Sequence, residues 1–152
     1  MRLRRVRWQK DGCSAAADGI DHRRLEKIAA DCGVSDKVQF LGWIDNKSDL
    51  LKETLARASV FASMSRFESF GISAAEAVAS GCRVVLSDIP AHRQFAAFGA
   101  AFVPLEDGAA LQSALQTAMG MQPAQAVDVR NAARRRQAEF GNQHRHGVEI
   151  HQ

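Results

Sequence analysis

Short apolar runs alternate along the chain with longer segments in which apolar residues recur at the spacing of a helix. Four of the runs predict strands: Val38–Leu41, Ser59–Ser63, Arg83–Ser87 and Ala100–Leu105. The segments around them predict six helices: His22–Cys32, Lys47–Ala58, Phe70–Ser80, Ala91–Phe98, Asp107–Gly120 and Ala124–Phe140. Gly33 and Gly81 follow two of these helices where a C-terminal cap glycine belongs. The alternation is typical of βαβ units and predicts an α/β fold: a Rossmann-like open parallel sheet with helices on both faces.

Both ends of the chain lack a clear pattern. Residues 1–20 form a poorly defined start, in which Leu3–Trp8 alternates apolar residues with arginines and is a candidate edge strand. Lys10–Ile20 contains two Asp-Gly pairs and is predicted to be a loop. Residues 21–140 are the predicted Rossmann-like domain, and residues 141–152 are a His-rich tail without a strong pattern.

Composition excludes several functions. Of the 152 residues, 46% are hydrophobic and 24% are charged, which is ordinary for a globular domain. The net charge of +3 comes with basic residues grouped at both ends. Without interleaved aromatic residues, these groups favour solvated surface over nucleic-acid binding. The three cysteines form no CxxC pair, so neither a zinc site nor a disulfide framework is expected, and free thiols fit a reducing cytosol. No run approaches the roughly 20 apolar residues of a spanning helix. We therefore expect a cytoplasmic protein whose membrane contact is at most peripheral, at the inner face.

The segment from Ser65 to Cys82 carries the candidate chemistry. It follows the predicted strand Ser59–Ser63, so its loop lies at the carboxyl end of a strand, where open parallel sheets bind ligands. The first amides of the helix that follows have no partners within the helix, and together with the helix dipole they form an anion site. Gly71 has no side chain and lets a ligand approach the backbone closely. The backbone from Ser69 to Ile72 is therefore predicted to cradle a phosphate or diphosphate.

Two carboxylates, Glu68 and Glu76, flank this anion site. An ionised carboxylate only accepts hydrogen bonds, so its natural partners are hydroxyl groups rather than phosphates. Hydroxyl-bearing groups on both sides of a diphosphate describe a nucleotide sugar, with Glu68 on the sugar and Glu76 on the ribose. The alternative is that the two glutamates only favour the helix N-terminus through the macrodipole, and spacing alone does not decide between them.

The residues around these glutamates resemble a known signature. The segment "FESFGISAAEAVASGCRVVLSD" resembles the donor-site signature of the group 1 family of retaining glycosyltransferases with the GT-B fold, in which seven residues separate two glutamates. Glu68 and Glu76 match that spacing, with Phe70-Gly71 between them. The segments "LEKIAADCGVSDKVQFLGWID", "LLKETLARASVFASMS" and "GCRVVLSDIPAHRQF" resemble the neighbouring units in the right order. The resemblance covers roughly Asp21 to Met119.

The resemblance implies the carboxyl-terminal, donor-binding domain of the two Rossmann-like domains in a GT-B fold. Glu68 would be the catalytic-site residue that binds the transferred sugar. The donor-binding residues that the resemblance implies are Ser69, Phe70, Gly71, Ile72, Glu76, Gly42 and Trp43. The amides of Phe70, Gly71 and Ile72 would bind sugar hydroxyls or the diphosphate, and Glu76 would bind the ribose. The turn at Gly42 and Trp43 would lie near the nucleobase. Retention is usually ascribed in this family to front-face attack, with the leaving diphosphate helping to take the acceptor's proton. No metal and no organic cofactor is expected.

The chain also departs from the family's pattern. The family usually places an arginine and a lysine on the diphosphate, from a unit that residues 1–10 do not match. Gln94 stands near a position where the family often has a glutamate. The amino-terminal acceptor domain is not matched. We therefore expect a fragment or separate subunit with little turnover of its own, which binds a nucleotide sugar and works with an acceptor domain or partner chain. We also expect a homodimer that covers exposed apolar surface. The alternative is a non-catalytic remnant or interaction subunit that keeps the fold.

Four further residues have open interpretations. His92 either faces the cleft or is a surface histidine at a helix start. Trp43 either stacks on a base or packs against its own domain. Arg66 is a candidate phosphate ligand, and Cys82 is predicted to lie in the core.

Overall fold

The computed structural model describes residues 12–15, 21–45 and 48–121. The predicted strand Leu3–Trp8, the predicted helix Ala124–Phe140 and the predicted tail lie outside the described residues. The chain divides into two compact units, Met1–Thr54 (unit 1) and Leu55–Gln152 (unit 2). Across the described part of the chain, no helix combines the length and the apolar character needed to cross a bilayer.

Unit 1 holds a two-stranded parallel sheet. Strand β1 (Cys13–Ala15) is followed by helix α1 (Asp21–Asp31) and strand β2 (Val38–Phe40). Cys13 pairs with Val38 and Ala15 with Phe40, and the amide of Leu41 extends the ladder by donating to the Ala15 carbonyl at 2.9 Å. The sequence prediction of a loop over Lys10–Ile20 is therefore wrong at β1. Small, mostly exposed residues form this strand, so its pairing with β2 specifies it and hydrophobicity does not.

Gly33 caps the C-terminus of α1, as the sequence predicts. Gly33 has a φ of 67°, and its amide donates to the Ala30 carbonyl while the amide of Val34 donates to the Ala29 carbonyl, both at 2.9 Å. These two bonds form a Schellman motif, which satisfies carbonyls that the helix itself leaves unpaired.

Unit 2 holds a three-stranded parallel sheet in the order β3-β4-β5. Helix α2 (Asp49–Arg57) crosses the boundary between the units and leads into β3. The remaining elements are β3 (Val60–Ser63), α3 (Ile72–Ala79), β4 (Arg83–Ser87), α4 (Pro90–Arg93), a 3-10 helix (Gln94–Phe98), β5 (Ala101–Val103) and α5 (Gly108–Gly120). All four predicted strands are present. The predicted helix Ala91–Phe98 splits into α4 and the 3-10 helix, in which Phe95 and Phe98 recur at the spacing of three residues that a 3-10 helix brings together.

The core of unit 2 is built on β4. Val85, Leu86 and Ser87 have no exposed surface, because β4 is the central strand and is covered on both faces. Val103 of β5 and Ala118 of α5 pack with Val85. Cys82 is buried just before β4, as the sequence predicts, and its Sγ donates to the Leu55 carbonyl at 3.3 Å.

The N-terminus of α5 has a side-chain cap. The carboxylate oxygen Oδ1 of Asp107 accepts from the amide of Ala110 at 2.9 Å. We expect Asp107→Ala to lower the free energy of unfolding by about 1 kcal/mol, because it leaves this amide without a partner in the first turn. Urea denaturation measures the change. Asp107→Asn keeps an acceptor oxygen and serves as the control, and an equal loss in both variants would show that the cap hydrogen bond is not the cause.

Candidate functional site

The loop that joins β3 to α3, residues 64–71, lies at the carboxyl end of β3, where the sequence places the candidate site. The last residue of β3, Ser63, pairs with Leu86, and β4 ends at the next residue, Ser87. The parallel strands β3 and β4 therefore end at the same edge of the sheet. The loop carries Glu68 and Gly71, and α3 carries Glu76.

Glu68 is half-buried and held by one hydrogen bond. Its Oε1 accepts from the Ser65 hydroxyl at 3.0 Å, and the Ser65 and Ser63 hydroxyls lie 3.3 Å apart. Among the described residues, the other carboxylate oxygen, Oε2, accepts no hydrogen bond. An ionised carboxylate has room for more than one donor, so this side chain can accept a hydroxyl from a ligand while Ser65 holds it.

Gly71 gives α3 an open N-terminus. It is the N-cap residue in the left-handed conformation, with φ 79° and ψ 48°, and its carbonyl accepts the first helical hydrogen bond from Ala75 at 3.0 Å. No side chain in the part of the chain that the structure describes caps the helix, so the amides of Ile72, Ser73 and Ala74 have neither intrahelical nor side-chain partners there. Unpaired first-turn amides and the helix dipole both favour a bound anion.

A Cβ on Gly71 would meet two side chains from the segment after β4, one in α4 and one in the 3-10 helix. It would lie 3.2 Å from Cε2 of Phe95 and 3.5 Å from Cδ2 of His92. Phe95 and His92 are both buried, so the backbone at Gly71 packs directly on the interior of unit 2. The glycine is therefore required by conformation and by space together. The prediction that Gly71 leaves room for a ligand is wrong, because the space that its missing side chain leaves faces Phe95 and His92 in the interior.

Gln94 holds the carbonyl group that precedes Gly71. Its Nε2 donates to the Phe70 carbonyl at 2.8 Å and to the Ala91 carbonyl at 2.7 Å. A glutamate, which the family often has near this position, would present only acceptor oxygens to these carbonyls when ionised. The departure of this chain from the family pattern thus has a local structural use.

Two buried polar side chains lie beneath the loop. Ser87 donates from its hydroxyl to the Ser65 carbonyl at 2.6 Å. His92 is only 1% exposed, and its Nδ1 lies 2.9 Å from the Ser87 carbonyl oxygen. The interpretations of His92 as a surface histidine or as one that faces the cleft are therefore wrong, because the ring is buried under Gly71, whereas its place at a helix start is confirmed by α4. Sequence reasoning did not identify Ser87 or Ser65.

Glu76 lies on the second turn of α3, on the side away from the buried residues Ala74, Ala77 and Val78. It is half-buried, and its carboxylate has no hydrogen bond or ion pair within the described residues. Ile72, one turn earlier on the same side, is exposed, as is Phe70 in the loop. The carboxylate of Glu76 is thus available to a ligand that lies along this side of α3.

Arg66 lies in the same loop as Glu68, whereas Gly42 and Trp43 lie earlier in the chain. Arg66 pairs through Nη2 with Oε1 of Glu106 in the turn before α5, and both side chains are well exposed. Gly42 and Trp43 belong to unit 1, just after β2. Gly42 has a φ of 66°, and Trp43 is 73% exposed, so its indole does not serve mainly to pack. Within residues 12–15, 21–45 and 48–121, no three or more His, Cys, Asp or Glu side chains are grouped as metal ligands would be.

Two curated relatives each match about half of this chain. A GDP-mannose:cellobiosyl-diphosphopolyprenol alpha-mannosyltransferase of Xanthomonas oryzae is 37% identical over 71 residues, which are 47% of this chain and 18% of that protein. The O-antigen chain mannosyltransferase RfbU of Salmonella typhimurium is 34% identical over 92 residues, which are 60% of this chain and 26% of that protein. The chain therefore spans only a minor part of the length of the curated relatives it matches.

Solved structures and a family model agree with the fold described above. The sucrose-phosphate synthase of Thermosynechococcus elongatus superposes with a TM-score of 0.70 at 28% identity, over 87% of this chain and 37% of that one. The fold of this chain is the α/β architecture of the GT-B glycosyltransferases, with parallel sheets and helices. The family model described as "Glycosyl transferases group 1" matches residues 12–136. The chain belongs to the group 1 family of glycosyltransferases, of which it corresponds to the carboxyl-terminal domain.

Proposed function

We propose that this chain binds a nucleotide-diphosphate sugar as the donor for retaining transfer of the sugar to an acceptor. The observation that carries the proposal is the loop 64–71: a half-buried carboxylate with one unoccupied oxygen stands beside an uncapped helix N-terminus whose residue 71 has no side chain. Acceptor and donor groups of this kind, placed side by side, complement the hydroxyls of a sugar and the charge of a diphosphate.

Each candidate residue has a place in this proposal. Glu68 accepts from hydroxyls of the transferred sugar and lies next to the reacting carbon. The backbone of Ser69, Phe70, Gly71 and Ile72, with the amides at the start of α3, binds the diphosphate. Glu76 accepts from the ribose hydroxyls. The nucleobase contact of Gly42 and Trp43, which belong to unit 1, stays a prediction from the family resemblance.

Charge explains how such a site would assist transfer without a metal or organic cofactor. As the bond from the sugar to the diphosphate breaks, negative charge grows on the leaving group, and fixed amide dipoles that face it stabilise that change. The leaving diphosphate, on the same face of the sugar as the acceptor, takes the proton of the attacking hydroxyl. A new bond on the face that the leaving group vacates retains the configuration.

Names of relatives suggest a mannosyl donor. Two of the matched relatives are mannosyltransferases, and the name of one gives GDP-mannose as its donor and a diphosphopolyprenol-linked sugar as its acceptor. We propose the same donor class here, with cytoplasmic action in polysaccharide biosynthesis and at most peripheral contact with the inner face of the membrane. Transfer itself would need an acceptor-binding domain, from further sequence or a partner chain, and a homodimer would cover exposed apolar surface.

Calorimetric titration of the chain with GDP-mannose and with UDP-glucose tests the proposal. We expect weak binding, with a Kd of about 1 mM. Glu76→Gln should weaken it about tenfold or more, because a hydrogen bond to a charged group contributes about 1.5–3 kcal/mol. Glu53→Gln, at an exposed residue of α2 that has no role in the proposal, removes the same charge and should leave both affinities unchanged.

Three outcomes would count against the proposal. Binding of neither nucleotide sugar would reject donor binding by this chain. Equal affinities for the wild type and Glu76→Gln would reject the role of Glu76. Equal losses in Glu76→Gln and Glu53→Gln would show that net charge, and not the contact with ribose, is responsible. A chain that folds stably but binds neither nucleotide sugar would favour the non-catalytic alternative.

A further inference from the structure

Ser87 and His92 connect the end of β4 to both ends of the loop that carries Glu68. Both side chains are polar, and their exposed fractions are 0% and 1%. Burying polar groups costs free energy unless they are hydrogen-bonded, and apolar residues could fill the same volume. The hydrogen-bond partners of Ser87 and His92 therefore indicate why polar side chains stand at these two positions.

Ser87 holds the start of the loop. Its hydroxyl donates to the Ser65 carbonyl at 2.6 Å, and a carbonyl can only accept, so the hydroxyl proton is committed to this bond. The hydroxyl of Ser65 in turn donates to Oε1 of Glu68 at 3.0 Å. Ser87 thus fixes the backbone of Ser65, and the side chain of Ser65 holds the carboxylate of Glu68.

His92 supports the end of the loop. Its Nδ1 lies 2.9 Å from the Ser87 carbonyl oxygen and 3.2 Å from the Ser87 hydroxyl oxygen. Because the carbonyl only accepts and the hydroxyl proton is already committed, Nδ1 must carry the proton and donate. This bond sets the ring so that Cδ2 lies 3.5 Å from the position of a Cβ on Gly71. The ring therefore packs directly beneath the left-handed glycine that opens α3.

We propose that Ser87 and His92 are positioning residues, which hold Glu68 and Gly71 in the arrangement that binds the donor. They act through Ser65 at one end of the loop and through packing under Gly71 at the other, and neither contacts the ligand. The proposal rests on the proposed donor-binding function for its consequence in binding. Its structural half, that the pair orders residues 65–71, stands without any ligand.

Nuclear magnetic resonance relaxation of the ligand-free chain tests the structural half, because the amides of residues 66–71 donate no hydrogen bond among the described residues and their motion is read from order parameters. We expect Ser87→Ala to lower the order parameters of residues 66–71 from about 0.85 to below about 0.6, because the loop loses the bond that fixes its first residue. Ser113→Ala, on the exposed side of α5, removes the same hydroxyl and should leave those order parameters unchanged. Unchanged order parameters at residues 66–71 in Ser87→Ala would overturn the proposal, whether or not any nucleotide sugar binds.

Titration with GDP-mannose beside GDP tests the consequence. If Ser87 acts through Ser65 on the sugar-binding carboxylate, Ser87→Ala should weaken GDP-mannose about tenfold and leave GDP within about twofold. A merely structural role would weaken both ligands alike, and that result would overturn the proposal. If the wild type binds neither ligand, the proposed function fails, and the relaxation experiment still decides the positioning.

A double-mutant cycle and a second variant complete the test. Because Ser87 acts through Ser65, adding Ser87→Ala to Ser65→Ala should cost less GDP-mannose affinity than Ser87→Ala alone, and full additivity would overturn the proposal. His92→Phe keeps a ring beneath Gly71 and removes the Nδ1 donor, so it tests the pair even if Ser87→Ala does not fold. We expect lower order parameters at residues 66–71 in this variant too, and wild-type order parameters would overturn the role of His92.

Discussion

Replacing Gly71 with alanine should destabilise unit 2 by about 2–3 kcal/mol and abolish donor binding, which is the largest effect expected at any residue of the loop. Two costs add at this position. The left-handed conformation, with φ at 79°, costs an L-residue about 1–2 kcal/mol. The new Cβ would also lie 3.2 Å from Cε2 of Phe95, a buried ring with little room to move.

Binding should fail in Gly71→Ala for a reason that differs from the case of Ser87. A shift of residue 71 moves the amides at the start of α3, which are the proposed diphosphate ligands. GDP and GDP-mannose should therefore both lose affinity, whereas Ser87→Ala should affect only the sugar nucleotide. The two variants together separate the diphosphate part of the site from the sugar part.

Gly33→Ala is the matched control for the conformational cost. Gly33 has a similar φ of 67°, but a Cβ there would meet nothing within 4 Å. Its substitution should cost only the strain of the left-handed conformation, about 1 kcal/mol. Hydrogen exchange of α1 in one variant and α3 in the other reports each local cost separately. Equal costs would show that the contact with Phe95 does not constrain residue 71.

Periodicity and glycine stops were sufficient to predict most of the described elements. The apolar runs predicted β2, β3, β4 and β5, and helical spacing predicted α1, α2, α3 and α5 within a few residues. The central strand was the clearest, because a strand covered on both faces needs a continuous apolar run. Strand β1 was missed because its small residues carry no such run and pair only through their backbone.

The candidate site shows the same division between local and tertiary information. Glu68, Gly71 and Glu76 lie within nine consecutive residues, so a local pattern could place them at one helix start. Ser87 is 22 residues from Ser65, and the bond between them depends on the parallel pairing of β3 with β4. No local pattern contains that register. A serine at the end of a buried strand, followed by a turn with a histidine, is the signal that could have suggested it.

Leu86→Ala should have the other large effect, a loss of about 3 kcal/mol in the free energy of unfolding. Leu86 has no exposed surface and pairs with Ser63 of β3 and Phe102 of β5 in the middle of the sheet, so its truncation leaves a cavity at a fully buried position. Domains of this size are stable by about 5–15 kcal/mol, so the loss is a large share of the total. Urea denaturation followed by far-UV circular dichroism measures it.

Leu105→Ala is the control, because the same truncation at a side chain that is 36% exposed removes less buried surface. We expect it to cost less than about 1 kcal/mol, and equal losses in the two variants would contradict the assignment of β4 as the centre of the core. Leu86 immediately precedes Ser87 but does not contact the loop through a hydrogen bond. Where Leu86→Ala is still folded, its affinity for GDP-mannose should therefore match the wild type. A specific loss of that affinity would mean that core packing at β4, and not the hydroxyl of Ser87, positions the carboxylate of Glu68.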